Sequence, residues 1–136
     1  TRKINYIRGD LFSFPLNNCI IPHITNDKNL WGSGFVVPLG NKYPAAKEAY
    51  LAGSPKLGTA QIVEVDEANQ VYVANMTAQR GLMSANNPHP LDYFSLNLCM
   101  ERVREFIEEH KWSVHAPKFG SERAGGDWMI IEKHIE

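Results

Sequence analysis

Two short stretches carry residue types suited to holding an anion by main-chain dipoles rather than by a counter-charge. The first, "WGSGF" at residues 31–35, sets Gly32 and Gly34 around Ser33 behind Trp31 and ahead of Phe35. The second, "FGSERAGGDW" at residues 119–128, contains Gly120, Ser121, Glu122, Arg123, Ala124, Gly125 and Gly126. Glycine leaves no side chain between the main chain and a ligand and permits unusual dihedrals. A loop that runs directly into a helix adds the positive end of that helix. Either loop alone also reads as a tight turn after a strand. Each, however, lies between a strand and a helix, at the carboxyl ends of strands where ligands settle in α/β sheets. Together they would grip one diphosphate from two sides.

Other candidates cluster near these loops. Gly9-Asp10 closes a first strand, where a carboxylate can accept a hydrogen bond from an exocyclic amine or serve as a turn acid. "HITN", His23 to Asn26, ends the second strand immediately before the first glycine loop. The Asn26 amide donates and accepts as ribose hydroxyls require, and a histidine such as His23 can move a proton near neutral pH. The plain alternatives are a locally bonded histidine and ordinary Asn-Asp turn chemistry. Arg80 suits a phosphate or a solvated loop equally, and Trp31 and Trp128 flank the loops as packing residues.

The elements that must position these groups follow from patterning. Residues 4–9 alternate as a half-buried strand, and 18–25 is a short apolar run suited to a buried one, with Pro22 marking a strand end or bulge. A short helix from Phe35, a break at Gly40 and a second helix from about Pro44 to Gly53 come next. "AQIVEVD" and "QVYVANM" alternate as neighbouring strands around "DEANQ". The polar stretch 77–92 is a candidate lid. Residues 90–110 place Tyr93, Leu96, Met100, Val103 and Ile107 on one helical face. A strand over 112–120 and a helix from Trp128, with Asp127 at its N-cap position, complete the pattern. Strands interleaved with helices predict an α/β fold with helices on both faces of a mixed central sheet.

Composition bounds the function. With 136 residues and a formal net charge of -1, the chain is expected to be one domain, and it carries no basic field that would mark it for nucleic acid. Cys19 and Cys99 lie in apolar segments without metal-type spacing and read as buried free thiols in a reducing compartment. No metal or cofactor is expected. The absence of a long apolar run or a signal-like leader predicts a soluble, cytoplasmic chain that does not engage membranes.

The ordered set of motifs resembles the macro domain, the ADP-ribose-binding family, over nearly the whole chain. "YIRGDLF" is similar to the family's opening strand, "HITNDKNLWGSGFVVPL" to its first phosphate loop, "YPAAKEAY" to the helix after that loop, and "VHAPKFGSERAGGDW" to its second phosphate loop. The resemblance points to the branch of ADP-ribose-1''-phosphate phosphatases and their bacterial and phage relatives. It implies a three-layer α/β/α sandwich, and a monomer is expected. It further implies that Asp10 meets the adenine amine and Asn26 the distal ribose, while residues 32–35 and 120–126 hold the diphosphate and ribose oxygens, with Gly9, Leu11, His23 and Trp31 also lining the ligand. Two catalytic devices of the family are missing, since Val36 stands where many members carry an acid and Ala78 where another branch has a lysine. His23 and Asn26, helped by Asp127 or by Glu122 and Arg123, remain for chemistry. The implied activity is hydrolysis of ADP-ribose-1''-phosphate or of an ADP-ribosyl group on protein or nucleic acid, with His23 orienting water as general base or acid. A non-catalytic reader of ADP-ribose is the alternative.

Overall fold

The computed structural model describes residues 11–13, 15–32, 34–110 and 112–117. A short 3-10 turn at Leu11–Ser13 leads into β1 (Cys19–Asn26), α1 (Val36–Lys42), α2 (Pro44–Ala52), β2 (Thr59–Asp66), β3 (Val71–Gln79), α3 (Tyr93–His110) and β4 (Ser113–Val114). The sheet order is β2-β3-β1-β4. β1 runs parallel to both β3 and β4, and β2 is antiparallel to β3, so the sheet is mixed as expected.

Side chains alternate between the two sheet faces, and each face meets its own helical layer. Ile20, Ala74, Met76 and Ala78 pack with Leu96, Cys99, Val103, Phe106 and Ile107 of α3. Cys19, Ile21, Val71 and Val73 pack with Leu39, Tyr43 and Ala46 of α1 and α2. The buried α3 residues recur at spacings of three and four, the stripe an amphipathic helix presents to one layer. Together the two layers make the α/β/α sandwich. Both cysteines are fully buried free thiols, and burial pushes their pKa values up to about 11 and about 12.

Three boundaries differ from the sequence expectation. Pro22 lies inside β1, paired with Ala74, and the irregularity falls later, between Thr25 and Asn26. The Ile20 carbonyl accepts from the His115 N–H at 3.0 Å, so Ile20 and Pro22 direct their main-chain groups toward β4 while Ile21 and His23 face β3. The N–H that Pro22 lacks therefore falls on the side where, among the described residues, strand pairing ends at Val114. Gly40 does not break the first helix either, because α1 continues through it to Lys42 and the break is at Tyr43. The strand expected over 112–120 is paired only at Ser113 and Val114 within the described residues.

The stretch after β3 is tied down rather than open. Its main chain returns through Arg80 N–H to Pro90 carbonyl at 2.8 Å and Asp92 N–H to Ala78 carbonyl at 2.7 Å, and Asn87 donates to the Arg80 and Leu82 carbonyls. Arg80 is paired with Asp92 at 3.4 Å.

Leu96 is fully buried between α3 and the sheet, whereas its neighbour Phe94 is 71% exposed. Leu96→Ala is expected to cost about 2–5 kcal/mol in urea unfolding, and Phe94→Ala less than about 0.5 kcal/mol. Equal shifts of the two midpoints would contradict this assignment of the core.

Candidate functional site

The chain leaves β1 at Asn26 and wraps around that residue's own side chain. Asn26 Oδ1 accepts from the N–H groups of Lys28 at 2.9 Å and Leu30 at 3.2 Å, and Nδ2 donates to the Leu30 carbonyl at 2.9 Å. Tyr50 secures the same residue from α2, its hydroxyl 2.7 Å from the Asn26 carbonyl and 3.0 Å from Oδ1. This is an asparagine turn, in which a side-chain amide substitutes for main-chain partners. Beside it, Asp27 Oδ1 accepts from the Gly81 N–H at 2.8 Å and so joins the loop to the segment after β3.

Past this turn the glycine loop opens into α1. Trp31 folds back against the layer beneath it, its ring edge-on to His23 at 5.5 Å and tilted on Tyr50 at 5.5 Å. Gly34 has φ +82°, a conformation that L side chains rarely adopt, and its carbonyl accepts from Val37 as the helix begins. Phe35 occupies the N-cap position without a side-chain cap. Its ring stacks on Phe12 at 5.6 Å and lies 5.9 Å from His23. Gly32 differs from Gly34. A Cβ built on it meets no atom of the described residues within 4 Å, and its φ lies outside the left-handed range.

His23 forms the floor. It is 2% exposed, and its Nε2 lies 2.5 Å from Asn75 Oδ1. Asn75 Nδ2 is committed to the Ala46 carbonyl at 3.2 Å and to Gln61 Oε1 at 3.0 Å. The oxygen of the Asn75 amide must therefore face the ring, so His23 Nε2 carries the proton and donates. Nδ1 is left with its lone pair, buried and without a partner among the described residues. Desolvation pushes the His23 pKa down to about 4, and the bond to Asn75 opposes that shift only in part. The ring is neutral at pH 7. Burial disfavours the charged imidazolium, so near neutrality the ring has no second proton to give, and what it offers is the Nδ1 lone pair.

The structure thus gathers Leu11 and its neighbour Phe12, His23, Asn26, Trp31, Gly32, Gly34 and Phe35 around one end of β1. Gly9, Asp10, Ser33, Gly120, Ser121, Glu122, Arg123, Ala124, Gly125 and Asp127 lie outside the described residues, as do the strand 4–9 and the helix from Trp128. A cavity of about 70 Å³ opens on the other side of Tyr50, lined by Ser54, Thr59, Gln61, Asn75 and Thr77 among others. Its size suits water rather than a nucleotide, for which pockets of roughly 300–1,000 Å³ are usual.

Known structures share this fold. A macrodomain protein from Streptomyces coelicolor superposes with a TM-score of 0.81 at 33% sequence identity, over 98% of this chain and 88% of that one. The chain belongs to the macrodomain family. A Bacteroides thetaiotaomicron protein of unknown function superposes with a TM-score of 0.87 at 36% identity over 98% of this chain and 88% of that chain. Thermosipho africanus DarTG, solved in complex with ADP-ribose, matches with a TM-score of 0.69 at 12% identity, over 85% of this macrodomain and 33% of that chain. Among curated proteins, the zebrafish (Danio rerio) chromodomain-helicase-DNA-binding protein 1-like is 27% identical over 97% of this chain, which spans only 14% of that protein's length. No family model matches the sequence.

The sequence reading missed four supports of the macrodomain loop: Phe12, Gly40, Tyr50 and Asn75. Asn75 had a visible signal, since it falls on the same strand face as Val71 and Val73, where an apolar residue belongs.

Because His23 titrates near 6.5 when unfolded and about 4 when folded, the unfolded macrodomain binds the extra proton between those values. The stability from keeping the ring neutral is fully present above the unfolded value and is lost as pH falls through this window. The urea midpoint is expected to drop between about pH 7 and pH 4.5, and the drop to be smaller in His23→Gln, whose side chain can still donate to Asn75. Parallel pH profiles for the two proteins would refute the assignment.

Proposed function

We propose that this macrodomain binds ADP-ribose across the loop 31–35 as a non-catalytic reader, with the diphosphate lying over Gly32 and the N–H groups that open α1. The observation that carries this is Gly32. Among the described residues nothing needs a glycine there, neither space nor dihedral angle. A residue free of both constraints, beside a helix start with no side-chain cap, is explained by close approach of a ligand to the backbone. The DarTG complex with ADP-ribose supports the choice of ligand at the level of the fold.

Geometry favours the reader over the hydrolase expected from sequence. His23 is neutral and spends its one N–H on Asn75, while the Asn26 oxygen is occupied by the turn it organises. The acid and lysine of catalytic relatives are absent, with Val36 and Ala78 in their places. For a hydrolase His23 would offer only the Nδ1 lone pair of a weak base, and a general acid would have to come from elsewhere, with Glu122, Arg123 and Asp127 the sequence candidates. In this reading ADP-ribosylated protein or nucleic acid is the partner that is read, and the chain acts as a single domain.

Calorimetry should show ADP-ribose binding, with no phosphate released from ADP-ribose-1''-phosphate and no ADP-ribose released from modified protein or DNA. Turnover in any arm would restore the hydrolase. Gly32→Ala is expected to leave stability unchanged or raise it by about 0.4–1 kcal/mol, since the site tolerates a Cβ and the unfolded chain loses freedom. The same variant is expected to weaken ADP-ribose binding about ten-fold or more, because the new methyl group occupies the ligand's approach. Undiminished affinity would sink this placement.

A further inference from the structure

Gly40 sits inside α1, and its φ lies outside the left-handed range, so backbone conformation does not call for glycine. Helix propensity argues against it, since alanine is favoured over glycine at interior positions. The reason is spatial. A Cβ at residue 40 would stand 2.9 Å from Trp31 Nε1, 3.5 Å from Trp31 Cε2 and 3.7 Å from Lys47 Cβ. The first of these is closer than real Cβ atoms approach. The indole cannot swing aside cheaply, because among the described residues it also packs on the rings of His23 and Tyr50, both buried.

We infer that Gly40 is a positioning residue for ligand binding: the notch it leaves in α1 seats the Trp31 indole and thereby sets the path of the main chain through Gly32. Three supports converge on that indole, the edge of His23, the face of Tyr50 and the bare backbone of Gly40. Tyr50 also bonds Asn26, so the two ends of the turn from Asn26 to Trp31 rest on the same side chain. Gly40 reaches the ligand only through Trp31. The inference deepens the ADP-ribose reading of the loop 31–35 and rests on it.

The test compares wild type, Gly40→Ala, Trp31→Phe and the double variant, each labelled with 5-fluorotryptophan. The Trp31 fluorine resonance is identified by its loss in Trp31→Phe. Gly40→Ala is expected to move that resonance and to weaken ADP-ribose binding by about ten-fold, against the gain in stability that helix propensity alone would give. In the Trp31→Phe background the smaller ring clears the notch, so adding Gly40→Ala should cause no further loss. An unmoved resonance with unchanged affinity would overturn the proposal, as would the same loss of affinity whether residue 31 is Trp or Phe. Should Gly40→Ala not fold, the double variant is expected to fold, and its failure to do so also overturns the proposal. Wild-type protein that binds no ADP-ribose would defeat the binding reading instead, leaving the fluorine shift to decide whether the notch holds the indole.

Discussion

Two polar side chains buried side by side at the carboxyl end of the sheet, His23 and Asn75, have to satisfy each other, and the loop above is arranged around the way they do so. An unpaired amide or imidazole in an apolar layer costs free energy comparable to several good contacts. Parallel pairing of β1 with β3 sets the two residues directly opposite each other. Asn75 is oriented by Ala46 and Gln61, and His23 takes the tautomer that orientation demands. A neutral ring can then serve as an apolar surface, which is how Trp31 and Phe35 use it. Electrostatic restraint at the floor is thereby converted into packing at the rim.

What sequence revealed follows from how local each feature is. The stripe on α3 and the alternation of β2 and β3 are properties of contiguous residues, and both elements form close to where the pattern puts them. The macrodomain relationship was legible because several motifs occur in the family's order, even where each alone has an ordinary explanation. Gly40 was misread because glycine was taken as punctuation, while its actual cause is a ring nine positions earlier in the chain. Pro22 was misread for a related reason, since whether a missing N–H matters depends on which neighbour strand it faces. The charge state of His23 could not be read at all, because its burial depends on residues brought to it by the fold, Trp31, Phe35 and Asn75 among them.

The segment after β3 shows how length and polarity mislead. Its polar composition suggested a lid, yet several of its polar side chains tie the segment to itself and to its neighbours: Asn87 with two carbonyls, Asp92 with Arg80 and Ser95, and, from β1's side, Asp27 with Gly81. Polar side chains here replace the sheet hydrogen bonds that the turning main chain gives up. The first glycine loop and this segment consequently share a fixed boundary rather than a gap.

The parallel pairing of β1 carries a kinetic corollary. His23 and Asn75 stand 52 positions apart, with two helices and a strand between them. Contacts of such span close slowly, since chain entropy is lost long before the contact forms. Helices such as α3 can assemble early from neighbours in the chain, but the support beneath Trp31 does not exist until the central strands have docked. On this ground the loop is expected to gain its support only once those strands have paired.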